Sequence, residues 1–446
     1  MFKRLTSLAV AVLFAMTAAF PAAAQSRSPG LVRDAEVEGI IRAYATPLFQ
    51  AAGLDASSVR IYLVNDDTLN AFVAGGMNLF MNTGLLMAAE NANQIIGVIA
   101  HETGHIAGGH LARTQEALRD ASTEAIIACV LGMAAVAAGQ GQAGTAIIGG
   151  GTALAQANVL QYSRTQESAA DHAGVSYLDA TGQSSRGMLE FFELLEGQEM
   201  LLASQQDPYL RTHPLTTDRM DFVRHHASVS PHTGASEPSA FVDGYQRMRA
   251  KLVGFLRPLN RVLQDYPESD TSLAARYARA IAYYRAGDLD KALPMLDQLI
   301  AEEPDNPFFQ ELKGQVLMEY GRGREALPYY EAAVRLAPHE PLLRLGLGQV
   351  QLETEDPALN KEALRNLEEV TRIETRNPSA WRLLSIAYGR DGQIPMAALA
   401  LAEAALARGN KNEARAQADR ALQQLPEGSP AWLRAQDILT TASKKN

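Results

Sequence analysis

The chain has 446 residues and a formal charge of −10, with nine histidines and a single cysteine. An acidic balance argues against nucleic acid as a partner, since a phosphate backbone is met by a basic surface. Cys129 alone excludes an internal disulfide and a cysteine-rich zinc site, so any metal must be held by histidine and carboxylate, the ligand set of catalytic sites.

Residues 1–24 combine a basic start (Lys3, Arg4), an apolar run from Leu8 to Met16 and small residues at Ala22 and Ala24. This is the pattern of a secretory signal, and its apolar run is too short for a membrane span. The expectation is a cleaved segment and an exported chain beginning at Gln25. Asp34 to Ala52 then reads as a helix, with Val37, Ile40, Ile41, Tyr44, Leu48 and Phe49 at helical spacing. Val59 to Val64 reads as a strand. Ala71-Phe72-Val73 and Leu79-Phe80-Met81 flank a Gly75-Gly76 turn and predict an antiparallel pair. The edge of such a sheet can accept an extended peptide, which would make Asn70, Ala71 and Phe72 substrate-facing; the alternative is a sheet that only supports the next helix.

That helix carries His101-Glu102-Thr103-Gly104-His105, directly after the apolar run Ile95 to Ala100. At 3.6 residues per turn, two histidines four apart project from one face and reach one metal ion, while Glu102 lies beside it, placed to take a proton from water. His110, five residues past His105, is expected to point about 140° away. Ala125 to Ser163 holds no charged residue and is broken by Gly139 to Gln142 and by Gly149-Gly150-Gly151. It predicts two Ala-rich helices in a hairpin over the active domain, with Cys129 buried in it; shallow contact with a membrane surface is the alternative. Next comes Glu167-Ser168-Ala169-Ala170-Asp171 in a second helical segment. A catalytic zinc needs a third protein ligand, for which Glu167 is the best candidate. Asp171, one turn on, fits a carboxylate that accepts the far N–H of a ligand imidazole. His213-Pro214 precedes a helix containing Arg219, while His172, His225, His226, His232 and His339 read as solvated or loop histidines.

Beyond about Ser269 the chain becomes a series of helix-forming stretches punctuated by Pro and Gly. Ala280, Ala292 and Pro304 recur 34 residues later as Gly314, Ala326 and Pro338, and Gly348 extends the first series. A helical hairpin of this period resembles tetratricopeptide repeats, which stack into a curved solenoid with a concave binding face. Asn360 and Ala363 mark a short insertion, after which the pattern continues with changed phase.

The 101–105 motif, the 167–171 segment, Asn70-Ala71-Phe72 and His213-Pro214 with Arg219 together resemble the HtpX/CAAX-prenyl-protease class of gluzincin metallopeptidases, here in an exported form with a repeat tail. The resemblance implies one zinc ion per chain on His101, His105 and Glu167, with Glu102 as general base. It implies that the histidine matching His213 can fill the fourth zinc position as a latch; read from its chemistry alone, His213 could instead hydrogen-bond the oxyanion once the site opens, or His213-Pro214 be only a loop before the next helix, while Arg219 either pairs with a carboxylate or stabilises the oxyanion. The resemblance also implies a periplasmic protein acting on unfolded or misassembled outer-membrane proteins, with the repeats reaching the outer-membrane assembly complex. The alternative is a periplasmic chaperone or adaptor working mainly through the repeats with a latched zinc site.

The expected architecture is mainly α: a zincin-like α+β metallopeptidase domain with a small sheet, followed by an α-solenoid. The expected divisions are a signal at 1–24, a peptidase domain at 25–232, a helical linker at 233–269 and repeats at 270–446.

Overall fold

The computed structural model describes residues 30–110, 164–196 and 208–443. The signal segment, the uncharged stretch with Cys129 and its membrane contact lie outside the described residues. Among those described, no helix is long and apolar enough to cross a membrane.

The first half is a small sheet with helices packed on it. Strand β1 (Leu31–Val32) leads into helix α1 (Ala35–Ala51), whose N-terminus Asp34 caps by accepting from Val37 N–H. Strands β2 (Arg60–Val64), β3 (Ala71–Ala74) and β4 (Asn78–Asn82) follow, in the spatial order β1-β2-β4-β3. β3 and β4 form the antiparallel pair expected from the Gly75-Gly76 turn, whereas β2 runs parallel to β4. Tyr62, Phe80 and Phe72 stack across these three strands at 5.0 and 4.9 Å between ring centres, which fixes the register on that face. A short helix α2 (Thr83–Ala88) leads to α3 (Ala92–Ala107), the motif helix, buried almost along its whole length. Helices α4 (Arg164–Ala180) and α5 (Arg186–Leu195) pack against it, and α6 (Pro208–Thr212) and α7 (Thr217–Val229) complete this half. His225 and His226 fall inside α7 and not in a loop. His226 Nε2 meets Asp179 Oδ2 at 2.9 Å and its Nδ1 meets Ser185 Oγ at 3.0 Å, joining α7 to α4 and α5.

The second half is a run of antiparallel helix pairs: α10 (Leu273–Arg285) with α11 (Leu289–Glu302), α12 (Pro307–Glu319) with α13 (Gly323–Leu336), α14 (Pro341–Glu353) with α15 (Pro357–Ile373), α16 (Pro378–Arg390) with α17 (Ile394–Ala407), and α18 (Lys411–Leu422) with α19 (Pro430–Ser443). Small residues at the repeat positions let the helices close up: a Cβ on Gly314 would stand 2.9 Å from the Tyr330 ring. The insertion near Asn360 appears as a longer α15, 17 residues against 14 in α11 and α13.

Between the halves, α8 (Ser239–Leu256) packs on α1, α2 and α3 on one side and on α10 on the other, with α9 (Leu259–Asp265) beside it. One apolar core therefore continues from Val37 to Val316. Charges are buried at the same junction. Lys251 Nζ lies 2.8 Å from Asp34 and 3.5 Å from Glu36, Arg247 donates to Glu36 at 3.0 Å, and Tyr277 OH donates to Glu36 at 2.8 Å.

Candidate metal centre

The site is assembled by two helices that approach unusually closely. A Cβ on Gly104 would lie 2.7 Å from Ala170 O and 2.9 Å from its Cα, so the glycine inside the motif is what allows α4 to lie against α3. On α4, Glu167 and Asp171 are one turn apart and face α3, delivering two carboxylates to the two histidines. His213 arrives from a third direction. Its N–H donates to Tyr209 O at 2.7 Å, extending α6 by a residue, and Pro214 then turns the chain out of the helix. Thr216 caps α7, and Arg219 Nη1 donates to Pro214 O at 2.9 Å, pinning this corner.

His101, His105, Glu167 and His213 converge, all fully buried, each offering one ligand atom to a common point. His101 Nε2 and His105 Nε2 are 3.1 Å apart; His105 Nε2 and Glu167 Oε1, 3.3 Å; His101 Nε2 and His213 Nδ1, 3.4 Å; His213 Nδ1 and Glu167 Oε1, 3.1 Å. A tetrahedral ion with bonds of about 2.0–2.1 Å to nitrogen and oxygen needs donor-to-donor edges of roughly 3.3–3.4 Å; these four separations come close to that and all the ligand atoms lie within 4.8 Å of one another, so the group could hold a zinc-like divalent ion. The donor chemistry agrees, because two imidazole nitrogens turned toward each other can share only one proton.

Around this group the partners are unequal. His101 Nδ1–H donates to Asp171 Oδ1 at 2.8 Å, and Asp171 is itself gripped by Arg219 through Nε (2.6 Å) and Nη2 (2.9 Å). Arg219 Nη1 also lies 2.7 Å from Glu167 Oε2, so one guanidinium serves both carboxylates. Burial alone would lower His101, but hydrogen bonds to Asp171 and Glu167 outweigh it and push its pKa to about 9 in the absence of a metal. Burial dominates at His105 and holds it well below the usual imidazole range. Glu167 and Asp171 are opposed by burial yet held below the normal carboxylate range by the surrounding imidazoles and Arg219. Glu102 differs: it is buried, its pKa is raised by that burial, and neither carboxylate oxygen has a hydrogen bond. His213 Nε2 lies 3.5 Å from Glu102 Oε1.

Two neighbours escaped the sequence reading. His110 does not point away: its Nδ1 lies 3.0 Å from His105 Nδ1, because α3 ends at Ala107 and the chain turns back. The Gly108-Gly109 pair was the available signal. Tyr209 stacks on His213 at 4.5 Å between ring centres, with its hydroxyl buried and without a hydrogen bond; its place one turn before His213 was the only hint. Asn70, Ala71 and Phe72 have buried side chains at the start of β3, which packs against α3.

Known proteins resemble this chain in both halves. Residues 32–227 match peptidase family M48, and residues 277–341 and 311–368 match the tetratricopeptide repeat. The beta-barrel assembly-enhancing protease of Yersinia pestis is 28% identical over 365 residues, spanning 79% of this chain and 73% of that protein. Its counterpart of the same name in Escherichia coli (strain K12) is 26% identical over 363 residues, spanning 80% and 73%. Metalloprotease YcaL of Escherichia coli (strain K12) is 27% identical over 166 residues, 37% of this chain and 60% of that protein.

Proposed function

Starting from a metallopeptidase domain of the M48 type followed by tetratricopeptide repeats, we infer that the chain is a periplasmic, zinc-dependent endopeptidase. Its clients are misassembled outer-membrane proteins and their assembly machinery. The observation that carries the chemistry is the convergence of three imidazoles and Glu167 beside the buried Glu102 carboxylate. His101, His105 and Glu167 would hold the ion, with His213 in the fourth position at rest. Zinc, when bound, supplies Lewis acidity toward the scissile carbonyl and acidifies water.

The protein's own groups then have distinct tasks. Glu102 takes the proton of the attacking water and returns it to the leaving amine; its raised pKa suits both transfers. Asp171 fixes the ring of His101, and Arg219 holds Asp171 and Glu167 in their ionised, oriented forms. Peptide binding is assigned to Asn70, Ala71 and Phe72. Their side chains are buried, so contact would run through the backbone of this edge strand. The burial of every site residue supports a latched resting state that opens before substrate enters.

The division proposed is a signal at 1–24, a peptidase domain at 25–232, a helical linker at 233–269 and repeats at 270–446 that recruit clients or dock on the assembly complex. The repeats and the names of the relatives support this assignment. The test is metal-dependent cleavage: purified protein with one zinc per chain is incubated with unfolded outer-membrane proteins, with and without a chelator. Cleavage that survives chelation, or no cleavage by either the wild type or His213→Ala at full zinc content, would overturn the reading.

A further inference from the structure

The two motif histidines are held by different partners. On His101 the far nitrogen meets a carboxylate, Asp171. On His105 the far nitrogen meets another imidazole, His110, with Nδ1 to Nδ1 at 3.0 Å and the rings nearly perpendicular at 79°. The end of α3 is built to make that contact. Gly109 takes a left-handed φ of +60°, its N–H donates to Ile106 O at 3.1 Å, and His110 N–H donates to His105 O at 3.2 Å. This is the pair of bonds that closes a helix in the Schellman arrangement, in which the residue past the left-handed glycine folds back over the last turn. Here that residue touches the metal-site histidine twice, once through its backbone and once through its ring.

Two further observations show that the ring has a prepared place. A Cβ on Gly108 would stand 2.4 Å from His110 Nε2 and 2.9 Å from Cδ2 and Cε1, so a side chain there would displace the imidazole. Gln166, the residue before Glu167 on α4, donates from Nε2 to His110 O at 3.0 Å, tying the turn to the helix that brings the carboxylate ligand.

We propose that His110 is a positioning residue for the metal centre: its Nδ1 accepts the Nδ1–H of His105, fixing the tautomer and orientation that present His105 Nε2 to the ion. A metal-ligating imidazole must keep its ligand nitrogen free of a proton, so the proton sits on the other nitrogen and needs an acceptor. His110 provides it for His105 as Asp171 does for His101. Gly108 and Gly109 belong to the same device, because without them the ring cannot reach.

This rests on the zinc-site reading, and the test separates the two. Zinc affinity is measured by competition with a chromophoric chelator for the wild type, His101→Ala, His110→Ala, His110→Asn and Gly108→Ala, alongside the melting temperature of each metal-free protein. His110→Ala is expected to bind zinc about 10- to 100-fold more weakly, the range for losing an outer partner of a ligand histidine, with little change in metal-free melting. Gly108→Ala should weaken binding in the same direction. His110→Asn, whose Oδ1 occupies nearly the place of the imidazole Nδ1, should recover most of the affinity. Wild-type affinity in His110→Ala, or a loss matched by lower metal-free melting and not recovered by asparagine, would overturn the proposal while leaving the zinc site standing. If His101→Ala binds zinc as the wild type does, the zinc-site reading falls and this proposal falls with it.

Discussion

Two clusters of largely buried charge among the described residues differ in whether the pairing closes. Where α1 meets α8 and α10, Asp34 and Glu36 face Lys251, Arg247 and the Tyr277 hydroxyl, so each carboxylate meets a cation or a donor. At α3 and α4 the balance is left open. Arg219 satisfies Asp171 and forms an ion pair with one oxygen of Glu167, but three imidazole nitrogens and the other Glu167 oxygen still point at one spot, and Glu102 has no hydrogen bond. A closed cluster is understood through stability and domain placement; an open one is understood through the group it is missing. Buried ionic groups are expensive unless paired, so a site that stays open inside a core calls for a ligand.

The sharpest way to break this comparison is to change single groups in each cluster. In the open cluster, Glu102→Gln is expected to keep a full complement of zinc and lose hydrolysis by roughly 10²- to 10⁴-fold, the range for a general base. His101→Ala, His105→Ala and Glu167→Ala should instead lose zinc, which metal analysis of the purified variants reads directly. Normal zinc content in Glu167→Ala would remove the third ligand from the proposal. In the closed cluster, Lys251→Met removes the cation from Asp34 and leaves Glu36 with Arg247 and Tyr277, and is expected to destabilise the protein by about 2–3 kcal/mol, less than a fully buried pair because Asp34 is partly exposed. Zinc affinity should not change. A fall in zinc affinity in folded Lys251→Met would show that the two regions are one cooperative unit, and the contrast drawn above would fail.

His213 sharpens the comparison from inside the site. If it is the fourth donor of the proposed resting site, its removal at equal zinc content should raise cleavage of a loosely folded substrate. A loss of about 10²-fold would assign it to the oxyanion instead, since that is the usual effect of removing one such donor. Unchanged turnover would leave His213 with a packing role under Tyr209.

What was legible in the sequence follows from distance along the chain. His101, His105, Glu167 and Asp171 could be read because each pair lies one turn apart on a single helix, where periodicity alone decides the face. His213 stands 46 residues from Glu167, at the end of a different helix; family resemblance, and not spacing, pointed to it. His110 was misjudged because the helical wheel was continued past the end of the helix. The two glycines that end α3 invert the direction, and they were visible. The junction was out of reach, since Glu36 meets Arg247 and Tyr277 across more than two hundred residues and nothing local marks either partner. The parallel pairing of β2 with β4 was hidden for the same reason, while the β3–β4 hairpin was announced by its turn.

The smallest expected effect lies at the edge of the closed cluster, where the balance tilts toward acid. Arg33 donates to Glu38 at 2.8 Å and to Glu374 at 2.9 Å, tying the start of the first half to the end of α15. Glu340 caps α14 by accepting from Leu342 N–H; burial lifts its pKa from 4.5 to about 7, the Leu342 bond opposes this, and the charges of Glu38 and Glu374 add to it. A carboxyl raised in the folded state keeps a proton that the unfolded chain gives up near pH 4.5. Its contribution therefore favours folding at low pH and fades as pH rises from about 4.5 through about 7. Glu340→Gln, which keeps an acceptor and removes the titration, should match the wild type near pH 5 and melt higher than it near pH 8, by on the order of one degree in a chain of this size. Melting curves of the two zinc-loaded proteins across that range decide it. A difference that does not change with pH would show that Glu340 ionises freely in the fold, and that the ring of acids around Arg33 is as closed as the pairs on Lys251.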